Sequence, residues 1–212
     1  MKIVLFGDSI TDMCRNREAD CKSVHSLGAG YPFLVASGLS KKDPFGYELF
    51  NRGISGNRVV DLYARIKADV WNLEPDLLSI LIGVNDIWHE LDYKNGVDVE
   101  RFEKVYDMLI ADTLKKLPNL KIVLLEPFVL KGSATEVYYD EFLKVKEYAK
   151  AVKRLAEKYN LYFIPLQKKF DEIAEKYEDT TPFLSDGVHP NIAGATLIAE
   201  EWLKFFDKEI IK

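Results

Sequence analysis

The 212-residue sequence has few of the residues that mark several large classes of protein. It contains two cysteines and three histidines, and its net charge at pH 7 is −5. Lysine and arginine do not cluster, and the negative balance argues against a nucleic acid as the main partner. No apolar run approaches the roughly 20 residues that a membrane span needs. We therefore expect a protein that binds neither nucleic acid nor membrane.

The two cysteines, Cys14 and Cys21, lie in one polar segment. No histidine stands at a zinc-ligand spacing from them, so the segment does not predict a metal site. The apolar start at 1–6 is short and has no small-residue cleavage site, which indicates a β-strand rather than a signal peptide. We expect a cytoplasmic protein in which both thiols are free, because structural disulfides are rare in that compartment.

Composition and periodicity predict a globular α/β protein. Hydrophobic residues make up 48% of the chain and charged residues 30%, and the length suits one domain spanning 1–212. Predicted strands at 1–6, 47–50, 77–82, 122–125 and 162–164 alternate with predicted helices at 31–39, 59–71, 99–117, 142–159, 165–177 and 191–206. This alternation predicts a three-layer α/β/α sandwich with a five-stranded parallel sheet. Right-handed crossovers favour the flavodoxin-like strand order 2-1-3-4-5.

The loops that follow the strands are predicted to share one rim. In a parallel sheet every strand's carboxyl end lies along the same edge, where open α/β sheets bind ligands. The loops begin at Gly7, Asn51, Gly83, Pro127 and Thr180. Residues that are far apart in the sequence are therefore expected to meet there.

Three residues on that rim have the side chains of a serine hydrolase. Ser9 offers a hydroxyl nucleophile, and His189 a base whose ordinary pKa suits work near neutrality. Asp186, three positions before His189, can orient the imidazole. Taken alone, a serine after Gly-Asp more often caps a helix, and an isolated Asp-x-x-His is more often a surface pair. Their predicted convergence on one rim favours catalysis.

An oxyanion hole can be built on the same rim. Gly53 offers a backbone N–H without a side chain beside it, Asn85 offers a side-chain amide, and Ser9 offers its own N–H. Gly53 could instead meet a positive-φ requirement, and Asn85 could serve a turn. We predict Ser9, Gly53 and Asn85 as the oxyanion donors.

Four segments resemble the signature blocks of the SGNH, or GDSL, hydrolases. They are Gly7-Asp8-Ser9-Ile10-Thr11, Asn51-Arg52-Gly53-Ile54-Ser55-Gly56-Asn57, Gly83-Val84-Asn85-Asp86 and Asp186-Gly187-Val188-His189. The blocks come in the family's order and span nearly the whole chain, with Ile10 where leucine is most common. The resemblance implies the SGNH hydrolase fold and the roles given above to Ser9, Asp186, His189, Gly53 and Asn85. It implies no metal and no organic cofactor.

Within that family, short stretches at 27–31, 53–57, 85–88, 126–128 and 187–190 are most similar to intracellular carbohydrate acetylesterases, including acetylxylan esterases. This similarity implies hydrolysis of short acetyl esters on O-acetylated sugars or xylo-oligosaccharides. One alternative is a lysophospholipase, thioesterase or other short-chain lipid esterase with the same triad, and another is a non-catalytic carbohydrate-binding module. The polar loop at 13–28 favours sugar over lipid. A homo-oligomer is compatible with the family.

Candidate substrate-binding residues follow from their places near the rim. They are Asp8, Tyr31, Trp88 and Phe128, of which Trp88 is the one next to Asn85 on the rim. The other two histidines, His25 and His89, are interpreted as polar loop residues rather than catalysts.

Overall fold

A computed structural model describes residues 1–20 and 23–211 of the chain. Its centre is a sheet of five parallel strands in the order β2-β1-β3-β4-β5. The strands are β1 (Lys2–Gly7), β2 (Glu48–Gly53), β3 (Leu77–Leu81), β4 (Lys121–Leu125) and β5 (Tyr162–Ile164). The predicted sheet, its parallel pairing and its strand order are confirmed.

Nine α-helices of the described residues surround this sheet. They are α1 (Ser9–Asp12), α2 (Tyr31–Lys42), α3 (Val59–Asp69), α4 (Val84–Tyr93), α5 (Val99–Lys116), α6 (Tyr139–Phe142), α7 (Val145–Lys158), α8 (Gln167–Lys176) and α9 (Ile192–Glu209). Helices α2 and α9 pack together, and α3, α5 and α7 pack in succession. No helix of the described part is long and apolar enough to cross a membrane.

The centre of the sheet is buried on both faces. Every residue of β3 is buried, as its almost continuous apolar run predicts for a central parallel strand. The fully buried Trp202 of α9 donates its indole N–H to Ser79 Oγ of β3 at 3.0 Å. That bond satisfies two polar groups that would otherwise be costly to bury.

Two segments near the rim differ from their predicted structure. The stretch at 83–86 was predicted as a loop, but α4 begins at Val84, immediately after Gly83. Gly83 has φ +140°, a conformation that favours glycine, and this allows the chain to turn from β3 into a helix without a linker. Strand β2 also continues to Gly53, three residues beyond its predicted end, and pairs there with Gly7 of β1.

Candidate active site

A tight turn between β1 and α1 places Ser9 on the rim. Asp8 caps α1, because its Oδ1 accepts the N–H of Ile10 at 2.9 Å. A Cβ on Gly7 would lie 2.4 Å from the carbonyl oxygen of Leu81 and 2.5 Å from Thr11 Oγ1. Only glycine therefore fits at the end of β1. The cap at Asp8 makes Ser9 the first residue of α1.

The loop before α9 brings His189 to Ser9. Ser9 Oγ lies 2.9 Å from His189 Nε2, and His189 Nδ1 lies 2.7 Å from Asp186 Oδ2. The other carboxylate oxygen of Asp186 accepts two backbone N–H groups, from Val188 at 2.9 Å and from His189 at 2.8 Å. The three residues that the sequence singled out thus form one hydrogen-bonded chain across 180 residues of sequence.

The charges within this chain favour an ionised Asp186 and a basic His189. Burial raises the pKa of Asp186, but the hydrogen bonds from the His189 ring and from two backbone N–H groups outweigh it and bring the pKa to about 2. The hydrogen bond to Asp186 raises the pKa of His189 above its ordinary value, against the opposing effect of burial. A proton taken up by the imidazole is therefore stabilised.

Asn85 lies beside Ser9 at the amino end of α4. It is buried and donates from Nδ2 to the carbonyl of Asn57 at 3.0 Å. A side-chain amide carries two N–H donors, so one donor remains for another acceptor. Asn85 and Ser9 both line one cavity of about 500 Å³.

Gly53 does not fit its predicted role as an oxyanion donor. Its N–H donates to Asn51 Oδ1 at 2.8 Å, and it is the last paired residue of β2 rather than part of a loop. A Cβ there would lie 2.2 Å from the backbone nitrogen of Asp12, so Gly53 is glycine because α1 packs directly on it. The prediction for Gly53 is wrong.

Gly56, three residues later, lies where Gly53 was expected. It lines the cavity with Ser9 and Asn85, and its N–H donates no hydrogen bond to any residue in 1–20 or 23–211. It has φ +81°, and a Cβ there would meet only His89 Nε2, at 3.9 Å. Both glycines of the second signature block are therefore required: Gly53 for close packing against α1, and Gly56 for the turn at the cavity.

Asp12 holds the loop that contains Gly56. Its Oδ2 accepts the backbone N–H and the hydroxyl of Ser55, each at 3.0 Å, and a guanidinium N–H of Arg17 at 2.8 Å. Burial opposes ionisation of Asp12, but these donors outweigh it and lower its pKa. An ionised carboxylate in α1 thus fixes the loop next to Ser9.

Trp88 is the predicted substrate-binding residue that lies in the cavity. Its ring centre is 5.8 Å from that of His189, and it packs edge-on against Phe142 at 5.5 Å. The cavity is lined by a mixture of polar and apolar side chains: Ser9, Met13, Cys14, Ser55, Gly56, Asn85, Trp88, His89, Asp92, Tyr93 and His189.

The other three predicted substrate contacts are buried. Tyr31 is 1% exposed, and its hydroxyl lies 3.1 Å from Thr11 Oγ1. Phe128 is fully buried and stacks on Phe170 at 4.3 Å. Asp8 is 1% exposed, and burial raises its pKa to about 7. These predictions are wrong, because nearness to a signature block does not bring a side chain to the surface.

Residues outside the predicted set also line the cavity. His89, interpreted from the sequence as a polar loop residue, lies on α4 and faces the cavity with Asp92 and Tyr93. Cys14 is an exposed free thiol that lines the cavity, whereas Cys21 lies outside the described residues. His25 is exposed in a short 3₁₀ turn. In the ranges 1–20 and 23–211, no group of three or more His, Cys, Asp or Glu side chains is arranged to hold a metal ion.

A serine, histidine and aspartate joined at the rim of a parallel α/β sheet define a hydrolase of the serine type. Residues 5–197 match the model of the GDSL-like lipase/acylhydrolase family. The chain belongs to this family and is a carboxylic ester hydrolase, as the signature blocks predicted.

Known relatives agree in sequence and in fold. An acetylxylan esterase from Geobacillus stearothermophilus is 33% identical over 96% of this chain and 92% of its own length. The solved structure of Axe2-W215I, an acetyl xylan esterase from the same organism, is 33% identical and matches with a TM-score of 0.87, covering 100% of this chain and 96% of the other. A candidate GDSL-like lipase from Parabacteroides merdae is 38% identical, with a TM-score of 0.89 over 96% of this chain and 94% of its own. Catalytic serine, aspartate and histidine variants of Axe2 also match in structure.

Proposed function

We propose that this esterase removes acetyl groups from O-acetylated sugars or xylo-oligosaccharides through an acyl-enzyme on Ser9. The observation that carries the proposal is the hydrogen-bonded chain from Ser9 Oγ through His189 to Asp186, which opens onto the cavity. Ser9 is the nucleophile, His189 is the general base and acid, and Asp186 orients the imidazole.

In the first half of the reaction Ser9 Oγ attacks the ester carbonyl carbon. His189 Nε2, at 2.9 Å, takes the hydroxyl proton as the new C–O bond forms. The positive charge that develops on the imidazole is stabilised by Asp186 at Nδ1. His189 then gives the proton to the departing sugar oxygen, and the acetyl group remains on Ser9.

The tetrahedral oxyanion needs donors that are already in position. The proposed donors are the N–H of Ser9, the N–H of Gly56 and the remaining amide N–H of Asn85. Ser9 is the first residue of α1, and the first N–H groups of a helix have no partner within it. The N–H of Gly56 also has no hydrogen-bond partner among the residues described, so it can donate to an oxyanion without breaking another bond.

Water completes the cycle. His189 removes a proton from a water molecule, whose oxygen attacks the acetyl carbon of the ester on Ser9. The same three donors stabilise the second oxyanion, and collapse returns the proton to Ser9 Oγ and releases acetate. Each half-reaction uses the same imidazole nitrogen, and the protein's own groups perform every proton transfer.

The acetyl-sugar assignment is supported by a relative and by the cavity. The relative with 33% identity is an acetylxylan esterase. The cavity exposes more apolar than polar surface, but it carries the polar side chains of Ser55, Asn85 and Asp92, which can pair with sugar hydroxyls. A lysophospholipase or thioesterase is the alternative hypothesis for the same triad. The proposed location is the cytoplasm, which the exposed free thiol of Cys14 supports and cell fractionation tests.

Alanine variants of the nucleophile and the base test the proposal. We expect Ser9→Ala and His189→Ala each to lose at least about 10³-fold in kcat on 4-nitrophenyl acetate, because both act in one proton transfer. Acetate release from acetylated xylosides should be lost in parallel. The exposed Ser40 and His25 provide matched controls, since Ser40→Ala and His25→Ala should retain activity. Full turnover in Ser9→Ala would disprove the proposed nucleophile, and cleavage of lysophospholipid alone by the wild type would disprove the substrate class.

A further inference from the structure

Helix α4 presents two different faces. Val84 and Ile87 are buried in the core, and Leu91 packs against it. The opposite face lines the cavity with residues at the spacing of one helical stripe, namely Asn85, Trp88, His89, Asp92 and Tyr93. A stripe at this spacing usually faces a core, but this one faces the open space beside Ser9.

The stripe runs from the reacting atoms to the outer rim. Asn85 and Trp88 lie nearest the triad, with the Trp88 ring 5.8 Å from His189. Tyr93 lies two turns further along α4 and is 69% exposed. His89 lies between them, and its ring meets the Tyr93 ring edge-on at 5.4 Å and 81°. The two outer rings are therefore in contact with each other.

The polar groups of the stripe suit hydroxyl groups. Among residues 1–20 and 23–211, the carboxylate of Asp92 takes part in no hydrogen bond or ion pair, and it is exposed at the cavity. Burial and the nearby Arg58 guanidinium lower the pKa of His89, so its ring is neutral near pH 7 and offers one donor and one acceptor. Hydroxyl groups can pair with both side chains.

We propose that His89, Asp92 and Tyr93 form the subsite that binds the sugar ring of the substrate while its acetyl group lies at Ser9. This inference rests on the proposed function. The aromatic faces cover the apolar C–H face of a pyranose, and Asp92 and His89 pair with its hydroxyls. The site is a single-ring subsite on one helix, reached directly from the nucleophile.

The size of the cavity leaves room for the alcohol part of an ester. The cavity measures about 500 Å³, far more than the three heavy atoms of an acetyl group occupy, so a sugar ring can lie beside the acetyl group.

The charge of the stripe disfavours a phospholipid. Asp92 places a negative charge at the outer end of the cavity, which repels a phosphate headgroup and leaves a neutral sugar unaffected. Tyr93 is a single exposed ring there, too small to cover an acyl chain. The same residues that suit a pyranose therefore select against the lipid substrates.

The test compares two acetate esters that differ in their alcohol. Wild type, Asp92→Ala and Tyr93→Ala are assayed on a monoacetylated methyl xyloside and on 4-nitrophenyl acetate, with lysophosphatidic acid, whose headgroup is an anionic phosphate, as a third substrate. We expect each variant to lower the ratio of kcat/KM on the xyloside to kcat/KM on the aryl ester by about tenfold. The loss should come chiefly as a higher KM for the xyloside, because the subsite binds ground state and transition state alike.

Two controls separate this result from a change in folding. Phe45 is a 97% exposed ring at the opposite edge of the sheet, and Glu200 is an exposed carboxylate on α9. Phe45→Ala and Glu200→Ala should keep the wild-type ratio. Both target residues are exposed, so equal thermal midpoints should show that all variants fold.

The outcomes separate the subsite from the function. An unchanged ratio in both variants, with a wild type active on both acetates, overturns the subsite and leaves the esterase proposal standing. A wild type active on the aryl ester but not on the xyloside overturns the sugar esterase assignment, and the subsite with it. A gain on lysophosphatidic acid in Asp92→Ala, without loss on the xyloside, shows that Asp92 only repels phosphate and overturns its role in sugar binding.

Discussion

Two turns meet at the candidate active site, and the carboxyl groups they carry are in opposite states. Asp186, in the loop before α9, is held at a pKa of about 2, because hydrogen bonds from His189 and from two backbone N–H groups outweigh its partial burial. Asp8, next to Ser9, has its pKa raised to about 7 by complete burial. Its Oδ1 accepts one N–H, from Ile10, and its buried Oδ2 has no hydrogen-bond partner among the described residues.

The difference shows that the number of N–H groups donated to a carboxyl group, together with its burial, sets whether that carboxyl is ionised. Asp186 accepts three N–H groups and remains an anion, so it can stabilise the imidazolium of His189. Asp8 accepts one and is largely neutral below about pH 7. A neutral carboxyl beside Ser9 does not repel the proposed oxyanion. The negative charge therefore lies next to His189, the proposed base, and is absent next to Ser9, the proposed nucleophile.

The largest expected effect comes from removing the charge behind the base. Asp186→Asn keeps the shape of the side chain but cannot stabilise an imidazolium, and its amide can impose the wrong tautomer on His189. We expect kcat on 4-nitrophenyl acetate to fall by about 10³- to 10⁴-fold, the scale known for the equivalent change in a serine protease. Because Asp186 raises the pKa of His189, the acid limb of the pH profile should also move to lower pH.

The control for this change lies in the same loop. Asp179 is exposed and accepts hydrogen bonds from Thr181, so Asp179→Asn removes a carboxylate without touching the imidazole. It should retain wild-type kcat and an unmoved acid limb. An Asp186→Asn enzyme with less than about tenfold loss would show that His189 does not depend on the anion.

A smaller loss of activity is expected on the Ser9 side of the site, where the proposed stabilising groups are neutral N–H donors rather than a carboxylate. Asn85→Ala removes the proposed amide donor and should lower kcat by about 10²- to 10³-fold with little change in KM. The lost bond to the Asn57 carbonyl should reduce the free energy of unfolding by only about 1 kcal/mol. Steady-state kinetics and chemical denaturation on the same samples separate the two effects.

Asn119→Ala is the matched control for Asn85→Ala, because Asn119 is exposed in the turn that precedes β4, at the opposite edge of the sheet. It should change neither kcat nor stability. If Asn85→Ala lost only a few-fold in kcat, the amide would serve to hold the Asn57 carbonyl rather than the oxyanion.

Much of the fold was predictable from the sequence, because hydrophobic periodicity reports burial directly. The run at 77–82 is apolar except for Ser79, as expected of a strand buried on both faces, and residues 77–81 of it form β3. Helix α4 was missed because Gly83-Val84-Asn85-Asp86 has the composition of a turn. Its helical state depends on the backbone conformation of Gly83, which the side chains do not reveal.

The site was predictable in its chemistry but not in its boundaries. Ser9, Asp186 and His189 have the side chains of a serine hydrolase, and their placement after predicted strands indicated that they meet on one rim. Gly53 lies within β2 and Gly56 lies after it. Where a strand ends is the least certain feature that a sequence pattern predicts. Continued pairing of Gly53 with Gly7 places the first glycine inside the sheet. A second glycine just before a predicted helix was the signal that could have found Gly56.

The smallest effect on activity is expected from Asp8→Asn. This variant also tests most directly whether the Asp8 carboxyl is neutral. The amide keeps the oxygen that caps α1 and removes a charge that is largely absent below about pH 7. We expect kcat at about pH 6 to change by no more than a few-fold. Because an ionised Asp8 raises the pKa of His189, the acid limb should shift slightly to lower pH in the variant.

The pH dependence of the free energy of unfolding tests the raised pKa of Asp8 more directly than activity does. With a pKa of about 7 in the folded protein and 3.8 as the ordinary value, folded Asp8 keeps a proton that the unfolded chain releases. The wild type therefore loses stability as the pH rises from about 4 to about 7, at up to about 1.4 kcal/mol per pH unit, and no further above that. Asp8→Asn has no such proton to lose, so its free energy of unfolding relative to wild type should climb across this range and then level off. Urea denaturation of both proteins at several pH values measures the difference, in which groups common to both cancel. A difference that is flat with pH would mean that Asp8 is already ionised in the folded protein, and the contrast between the two turns would be lost.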